Sequence, residues 1–496
     1  MRGQTAVILG LGRQGIALAR YLAERGVSVR ASDLRPSHAV VPALKALREY
    51  QLDFVLGEHP QSLLDGADII FVSGGVPTDI PLLHQARERG ITLSNDSQLF
   101  LEKAPCKVVG VTGSAGKTTV TLLTGRIAAA CGRFQQVWAG GNVGNPLLAD
   151  VHRMTPQDVA IMELSSFQLE IMTTSPTVAA ILNITPNHLD RHGTMQEYVE
   201  VKAHILDGQR SGDVAVLGWD DETARGLRDR VRGHCWGFGL GDGPDFVDGC
   251  HLDGERIMLR RGGVSLPFAT GKDIKMRGSH NKLNVLAAAA LAAAVGVDPA
   301  VMPTAIRGFA GAPHRMELVR EANRVRWVND TMATTPERTV AALQSFTVPV
   351  ILLLGGRDKK LPWGDLAERV KTGVKAIVLF GESAALIERE VGRAWLVPPD
   401  KQTEAYGNGA RIADGGSGDD SGSDFSNAVE AAANGTFPTF PELIRVDGLE
   451  EAVRHAAASA EAGDVVLLSP GCASFDDFSD ASERGDRFRE LVQALS

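Results

Sequence analysis

The sequence predicts an α/β protein with several parallel sheets. A β-branched run, Lys107–Thr112, leads through a glycine-rich turn into a helical stretch, which is the strand–turn–helix order of nucleotide-binding sheets. The same order occurs near the amino terminus, where the apolar run Thr5–Leu9 precedes Gly10-Leu-Gly-Arg-Gln-Gly15. In the last third of the chain, apolar runs again alternate with helical stretches, as in a parallel sheet covered by helices.

Length and composition narrow the class of protein. A chain of 496 residues exceeds one hydrophobic core, so about three domains are expected. No apolar run reaches membrane-spanning length and no signal peptide precedes the first strand, which predicts a cytoplasmic protein without a membrane partner. A formal net charge of −9 without a local basic cluster argues against nucleic acid as a partner. The five cysteines lack metal-ligand spacing and are expected to be reduced thiols.

The first 95 residues carry two turns at the ends of predicted strands. After Gly10–Gly15, a strand at Val27–Ala31 leads to Asp33, and an acid about 20 residues after such glycines is typical of dinucleotide-binding folds. A third strand, Asp68–Val72, runs into Ser73-Gly-Gly-Val-Pro77. We expect both turns to face one crevice that admits a diphosphate. The alternative is that the glycines serve only the packing of helix on strand.

The segment Thr112-Gly-Ser-Ala-Gly-Lys-Thr118 is predicted to bind ATP. Backbone N–H groups at a helix start form a phosphate cradle, Lys117 would contact the β- and γ-phosphates, and the Thr118 hydroxyl would bind Mg²⁺. The match is incomplete, because Val111 stands where a strict P-loop has its first glycine. The alternative is a glycine-rich turn without a nucleotide, so the assignment needs support from other residues.

Two polar residues follow predicted strands near this loop. The strand Asp158–Glu163 ends in a carboxylate, so Glu163 is a candidate magnesium ligand, with an acid at a helix amino terminus as the alternative. The strand Val178–Ile184 precedes His188. A loop histidine is more often a surface residue than a ligand, but His188 gains weight because it would face the same crevice as Glu163.

Three further candidates lie on predicted helices. On the helix Gln196–Leu206, Lys202 cannot be told from an ordinary solvated lysine. Asn281 and Asn284 lie one turn apart near the start of a helix that runs through Val295. Their amides suit either the edge of adenine or a helix amino terminus, and both interpretations stay open.

The last third of the chain predicts another parallel α/β sheet with polar or glycine-rich loops after its strands. Those loops are Asn329-Asp330, Gly355–Lys359 and Ser469–Ser474, as expected of ligand-facing segments. The segment between Pro399 and Pro438 is rich in Gly, Ser, Asp, Asn and Ala and is expected to be a disordered insertion. The predicted strands are Val325–Val328, Val350–Leu354, Ala376–Phe380 and Val465–Leu468.

Together these motifs resemble one family, the Mur ligases of peptidoglycan synthesis, and within it the branch that adds glutamate to UDP-N-acetylmuramoyl-L-alanine. Each motif is weak alone, but the set occurs in family order along the whole chain outside the 399–438 insertion. The family ATP loop usually has Asn where this chain has Ala115. The matching segments are Thr112–Thr118, Glu163-Leu-Ser-Ser-Phe-Gln-Leu-Glu170, Asn187–His192, His280–Asn284, Pro313–Glu317, Asn329-Asp330, Gly355–Lys359 and Ser469–Ser474.

The resemblance implies a three-domain ligase. It implies a UDP-binding Rossmann-like domain at 1–95, a central domain at 96–311 with a P-loop ATPase-type parallel sheet, and a C-terminal Rossmann-like ligase domain at 312–496. The implied reaction is ATP-dependent formation of a carbon–nitrogen bond through an acyl phosphate, with UDP-N-acetylmuramoyl-L-alanine and D-glutamate as partners. A monomer is the family expectation.

The resemblance also assigns individual residues. It implies two Mg²⁺ ions, one on Thr118 and Glu163 and the other on His188 and a Lys202 carbamylated by CO₂. Lys117, Glu163, His188 and Lys202 are then the catalytic residues. The residues implied for ATP are Thr112, Gly113, Ser114, Ala115, Gly116, Lys117, Thr118, Asn281, Asn284, Arg315 and Asp330, and those implied for the nucleotide-sugar substrate and glutamate are Gly12, Arg13, Gln14, Asp33, Ser73, Asn142, Lys359 and Ser474.

Two positions depart from the glutamate-adding pattern. The lysine usual in Asn329-Asp-Thr-Met-Ala-Thr334 is replaced by Met332, and the aromatic residue usual seven positions after Ser474 is replaced by Ala481. D-Glutamate remains the expected acceptor. L-Glutamate, another Mur or folylpolyglutamate-type ligase, and a nucleotide-binding regulator without turnover stay as alternatives.

Overall fold

The computed structural model describes residues 3–241, 245–276, 278–359, 361–396, 441–478 and 480–495. The predicted insertion at 399–438 lies outside the described residues. The chain divides into two compact units, Met1–Ala310 and Gly311–Ser496.

The first unit begins with a five-stranded sheet that is parallel throughout. Its strands are β1 Thr5–Leu9, β2 Ser28–Asp33, β3 Asp53–Leu56, β4 Ile69–Val72 and β5 Thr92–Ser94. Their spatial order is β3-β2-β1-β4-β5, so both predicted turns leave the carboxyl ends of neighbouring strands, β1 and β4. The helices of this part are α1 Arg13–Ala23, α2 Val41–Leu47, α3 Pro81–Glu88 and α4 Asp96–Lys103.

A nine-stranded sheet follows in the same unit. Its strands are β6 Lys107–Thr112, β7 Val137–Gly141, β8 Val159–Glu163, β9 Val178–Ile181, β10 Val214–Gly218, β11 His234–Gly239, β12 Asp248–Asp253, β13 Arg256–Arg261 and β14 Val264–Thr270. The order is β14-β13-β12-β11-β10-β9-β6-β8-β7, and only the pairs that involve β13 are antiparallel. The strand before the glycine-rich loop, β6, therefore lies between β8 and β9, which carry the other predicted site residues.

Helices cover the nine-stranded sheet. Residues of α5 and α10 pack against β6, β8 and β9 in one buried cluster. The alanine-rich run of α10 has no exposed residue from Val285 to Ala293, so this part of the helix is buried on all sides. The helices are α5 Lys117–Ala130, α6 Ser166–Leu169, α7 Leu189–His192, α8 Met195–Asp207, α9 Glu222–Gly226, α10 Ser279–Ala294 and α11 Met302–Arg307.

The second unit contains a six-stranded sheet. Its strands are β15 Glu317–Ala322, β16 Val325–Asn329, β17 Val350–Gly355, β18 Val374–Phe380, β19 Glu442–Arg445 and β20 Val465–Gly471. They lie in the order β15-β16-β20-β17-β18-β19, and all pairs but β15 with β16 are parallel. The helices are α12 Pro336–Leu343, α13 Gly364–Arg369, α14 Ala384–Leu396, α15 Leu449–Ser459 and α16 Ala481–Ala494.

The predicted α/β class is confirmed, with three mostly parallel sheets. Most predicted strands differ from the observed ones by one or two residues. The exceptions are the strand predicted at Val178–Ile184, which ends at Ile181, and the strand predicted at Val465–Leu468, which continues to Gly471. The predicted domain boundaries at 95/96 and 311/312 stay predictions.

The described residues bear on two other expectations. All five cysteines are free thiols, and burial raises the pKa of the most enclosed one, Cys250. Within the described part of the chain, no helix combines the length and apolar character needed to cross a membrane.

Close packing explains the third glycine of the amino-terminal motif and generates a prediction. A Cβ atom on Gly15 would lie 2.0 Å from the carbonyl oxygen of Gly10, whereas a Cβ atom on Gly12 would have no neighbour within 4 Å. We predict that Gly15→Ala lowers the free energy of unfolding by about 1–3 kcal/mol, because backbone must move to admit the methyl group. Urea unfolding followed by circular dichroism measures it.

Gly12→Ala is the matched control in the same motif. Gly12 is exposed and has φ −78°, which alanine adopts without strain, so its effect should stay within about 0.5 kcal/mol. Equal effects of the two substitutions would contradict the packing argument.

Candidate active site

The glycine-rich loop wraps around the side chain of Lys117. Gly113 and Gly116 have φ angles of +155° and +85°, so the chain turns sharply between β6 and α5. The Lys117 ammonium donates to the carbonyls of Gly113 and Ser114 at 3.0 and 3.1 Å. The last residue of β6, Thr112, is fully buried, and its hydroxyl has no hydrogen-bond partner among the described residues.

Asn183 holds the loop in place, and sequence reasoning missed it. Its side-chain oxygen accepts from the N–H of Ala115 at 2.8 Å, and its amide donates to the Ala115 carbonyl at 3.2 Å. Its own carbonyl accepts from the N–H of Ser114 at 2.9 Å. The Ser114 hydroxyl donates to the Thr185 carbonyl at 2.9 Å. The segment after β9 thus clamps the loop, although Ala115 stands where the family usually has Asn.

Glu163 links the loop to a second turn. The Thr118 hydroxyl donates to one carboxylate oxygen of Glu163 at 2.7 Å, and the Asn142 amide donates to the other at 2.9 Å. Glu163 is only 2% exposed, so its charge lies in a site from which water is largely excluded. A hydroxyl and a carboxylate beside a phosphate loop are the oxygen donors that Mg²⁺ prefers, so the residues present fit this ion.

Lys202 is buried beside the phosphate loop and is not an ordinary solvated lysine. Its side chain is 1% exposed, its amine donates to the Gly113 carbonyl at 2.9 Å, and it lies 4.6 Å from the ring centroid of Tyr198. Burial, and then the charge of Lys117, lower the pKa of Lys202 to about 6. At neutral pH the amine is therefore mostly uncharged.

His188 begins α7 in a left-handed conformation, with φ 54°. Its ring lies 5.0 Å from that of Phe167, which follows Glu163 by four residues. His188 thus lies against the segment that follows Glu163. Among the described residues, no group of three or more His, Cys, Asp or Glu side chains has the geometry of a metal site.

The two predicted amides lie against the loop. Asn284 donates to the side-chain oxygen of Asn281 at 3.1 Å. A Cβ atom on Gly116 would lie 2.3 Å from the Asn284 side-chain oxygen, so only glycine fits where loop and helix α10 meet. Both amides therefore stand where α5 begins, at the phosphate end of the predicted nucleotide site.

A cavity of ≈ 420 Å³ connects the amino-terminal turns with the segment after β7. Asn142 belongs to its wall and also donates to Glu163, so one hydrogen bond joins the cavity wall to the carboxylate beside the phosphate loop. Sequence reasoning missed Arg35 and His59 in this wall, because they follow a strand without a recognisable motif. The predicted residues that line the cavity are Gly12, Arg13, Gln14, Asp33, Ser73 and Asn142.

Asp33 organises one wall of the cavity. It accepts from the N–H of Leu11 at 2.8 Å and from the Arg35 side chain at 2.8 and 2.9 Å. Burial opposes its ionisation, but the hydrogen bonds from Arg35 and Leu11 outweigh burial and lower the pKa of Asp33 to about 2. The carboxylate therefore fixes the glycine turn and holds Arg35 at the cavity. The Ser73 hydroxyl donates to the Gly10 carbonyl at 2.9 Å and joins the two turns.

Three of the four predicted residues of the second unit lie on the loops after β16, β17 and β20. The fourth, Arg315, lies before β15. Asp330 is buried and accepts from the N–H of Met316 and the hydroxyl of Ser469, both at 3.2 Å. Burial raises its pKa to about 6. Lys359 donates to the Thr334 hydroxyl at 2.9 Å. The Ser474 hydroxyl is buried and has no hydrogen-bond partner among the described residues.

Arg484 ties these three loops together and was not predicted. Its side chain is fully buried and donates to the hydroxyl and carbonyl of Thr331 and to the carbonyls of Gly355, Cys472 and Ala473, at 2.9 to 3.3 Å. Burial lowers the pKa of Arg484 to about 10. Its role depends on contacts with residues as far as 153 positions away in the sequence, such as Thr331, and no local sequence pattern predicts such contacts.

The fold and the clamped loop together define an α/β nucleotide-binding protein with a P-loop type phosphate site. The chain belongs to the Mur ligase family. Three family models match it in order: a MurD-like N-terminal domain at 4–95, a Mur ligase middle domain at 111–292 and a Mur ligase glutamate ligase domain at 314–414. The resemblance predicted from the motifs is confirmed.

Relatives match over nearly the full length. The chain is 36% identical over 493 residues to the UDP-N-acetylmuramoylalanine–D-glutamate ligase of Symbiobacterium thermophilum, with 99% of this chain and 98% of the relative covered. It is 35% identical to the ligase of the same name from Pelotomaculum thermopropionicum, with 99% and 97% covered. The crystal structure of UDP-N-acetylmuramate–alanine ligase MurC from Thermotoga maritima has the same fold, with 18% identity, 99% of each chain covered and a TM-score of 0.54.

The position of Lys117 generates a prediction. Its ammonium is held at the loop where a phosphoryl group in transfer gains negative charge, so Lys117→Ala should lower ATP-dependent turnover by about 10²–10³. Phosphate release with saturating substrates measures it. Lys107→Ala is the matched control, because Lys107 is exposed at the start of β6, the strand that precedes the loop. Near-normal turnover by a folded Lys117→Ala protein would refute the ATP site.

Proposed function

We propose that this protein uses ATP to join D-glutamate to UDP-N-acetylmuramoyl-L-alanine, a step of peptidoglycan precursor synthesis. The full-length relatives bear the name of this ligase. A cytoplasmic location and a monomeric state are part of the proposal.

One contact carries the proposal. Asn142 lines the cavity of the amino-terminal turns and donates to Glu163, which accepts from Thr118 of the phosphate loop. A nucleotide-sugar substrate with its diphosphate at Gly10–Gly15 would extend past Asn142 toward this loop. Its alanyl carboxylate would then lie near the γ-phosphate of ATP.

In the first step, a carboxylate oxygen of the alanyl group forms a bond to the γ-phosphorus of ATP. The bond from that phosphorus to the bridging oxygen breaks, and ADP is the leaving group. Two anions approach each other, so positive charge must be placed before the reaction begins. Lys117 supplies it at the loop. The backbone N–H groups at the start of α5 add the positive end of the helix dipole.

Thr118 and Glu163 would hold one Mg²⁺, and His188 with a carbamylated Lys202 would hold the second. When bound, Mg²⁺ offsets the negative charge of the phosphates. The lowered pKa of Lys202 supports its proposed carbamylation. An amine with a pKa of about 6 is mostly neutral at pH 7, and only a neutral amine attacks CO₂. The new nitrogen–carbon bond releases a proton and leaves a carbamate, which is an anionic ligand.

In the second step, the amine of glutamate attacks the acyl carbon of the acyl phosphate. The carbon–nitrogen bond forms, the bond from carbon to the phosphate oxygen breaks, and phosphate leaves as the amine loses a proton. Lys359 and Ser474 are proposed to bind the carboxylates of glutamate. The buried Ser474 hydroxyl has no partner among the described residues, and its desolvation is compensated when a ligand accepts its hydrogen bond.

The acceptor amino acid provides the direct test of the function. Purified protein incubated with ATP and UDP-N-acetylmuramoyl-L-alanine should form product with D-glutamate and not with L-glutamate, as resolved by mass and chiral analysis. Product with L-glutamate alone would replace the D-specific assignment. Absence of product with either enantiomer would favour a nucleotide-binding regulator.

Carbamylation of Lys202 makes a separate prediction. Lys202→Ala should lose at least 10² in turnover and recover part of it with added acetate or formate, whose carboxylate can take the position of the carbamate. Lys272→Ala is the control, since Lys272 is an exposed lysine of the same unit. Full activity of Lys202→Ala without added acid would refute the role.

A further inference from the structure

Two arginines of the second unit, Arg315 and Arg338, lie near Asp330, and Lys359 lies near Arg338. Arg315, Arg338 and Lys359 form no salt bridge within 4 Å to a carboxylate of the described residues. All three are solvent-exposed and so are accessible to a ligand. Arg315 and Lys359 were predicted from sequence, whereas Arg338 was not.

The loop after β16 positions Arg338. The N–H of Ala333 donates to the Asp330 carbonyl at 2.9 Å and that of Thr334 to the Met332 carbonyl at 3.0 Å, so the chain turns tightly before α12. Arg338 lies in the first turn of α12 and reaches back to donate to the Met332 carbonyl at 3.2 Å. Its guanidinium is thus held beside the residue that replaces the usual lysine.

The other two loops join this one. The N–H of Gly471 donates to the Ala333 carbonyl at 2.9 Å, and the N–H of Arg357 donates to the Ala473 carbonyl at 2.8 Å. Lys359 extends from the loop after β17 to the Thr334 hydroxyl. The buried Ser474 hydroxyl, which has no hydrogen-bond partner in the described part of the chain, belongs to the loop after β20. Hydrogen bonds therefore join the three loops next to Arg338 and Lys359.

The positive charges of these side chains repel one another: Arg315 repels Arg338, and Arg338 repels Lys359. Surrounding protein, and then the charge of Arg338, lower the pKa of Lys359. Surrounding protein, and then the charge of Arg315, lower the pKa of Arg338, with Asp330 and Glu337 acting in the opposite direction. An anion bound between Arg338 and Lys359 would relieve this repulsion, and a guanidinium binds a carboxylate with two parallel hydrogen bonds.

We propose that Arg338 binds a carboxylate of the incoming amino acid together with Lys359, and so determines specificity for an acidic acceptor. Arg338 supplies from α12 the positive charge that Met332 does not. The inference rests on the proposed function, because it assigns a residue to the acceptor of that reaction. A phosphate group is the other anion that a guanidinium binds, and the test separates the two.

The test compares the KM values for glutamate and for ATP in Arg338→Ala and Arg338→Lys. Loss of a charge-assisted hydrogen bond predicts a rise of about 10- to 100-fold in the KM for glutamate in Arg338→Ala. The KM for ATP should stay within about twofold, and Arg338→Lys should recover part of the loss. Arg445→Ala, an exposed arginine on β19, is the control and should match the unaltered protein. Thermal unfolding verifies that each variant is folded.

Glutamine, which lacks the side-chain carboxylate, identifies the group that Arg338 binds. If the preference for glutamate over glutamine falls in Arg338→Ala, the side-chain carboxylate is bound. If both acceptors weaken equally, the α-carboxylate is bound, and either result supports the proposal. An unchanged KM for glutamate, or a rise in the KM for ATP instead, overturns it. Lack of glutamate-dependent turnover in the unaltered protein would refute the proposed function itself.

Discussion

Two amines converge on the carbonyl oxygen of Gly113, and the phosphate site of the first unit depends on this contact. Lys117 reaches it from the start of α5 and Lys202 from the middle of α8. Burial, and then the positive charge of Lys117, lower the pKa of Lys202 to about 6. The capping box of Thr194 and Glu197 fixes the first turn of α8 and so the line along which Lys202 points. The conformation of the phosphate loop and the protonation of Lys202 therefore depend on the same contact at Gly113.

The neighbouring strand β8 connects this constraint to the substrate cavity. Glu163 pairs with Val111 on one side and with Gly141 on the other, so β8 places its terminal carboxylate between the loop and the turn after β7. A Cβ atom on Gly141 would lie 2.6 Å from the Glu163 carbonyl. Glycine at 141 lets the turn approach closely enough for Asn142 to reach the carboxylate. Gly141, the last residue of β7, thus allows the ends of two neighbouring strands to approach closely.

The sequence predicts the sheets and the loops at their carboxyl ends, because parallel strands read as short apolar runs and every ligand-facing loop follows one. Side chains that stabilise a loop far away in the sequence were not predictable. Asn183 clamps a loop 68 residues away, and Arg484 joins three loops from a helix. The burial of Lys202 was hidden for a related reason. Its helix is amphipathic, and only tertiary packing shows that the phosphate loop covers this lysine.

Arg484 and Arg338 show how environment separates a structural arginine from a binding one. The Arg484 guanidinium is fully buried, and backbone carbonyls and a hydroxyl satisfy its donors, so it fixes the loops and has no capacity left for a ligand. Arg338 makes one backbone hydrogen bond, remains exposed and lies where positive charges repel. A guanidinium has five N–H donors, so Arg338 retains the capacity for a bidentate partner. Rigid loops held by the first arginine make the second able to select an anion by position as well as by charge.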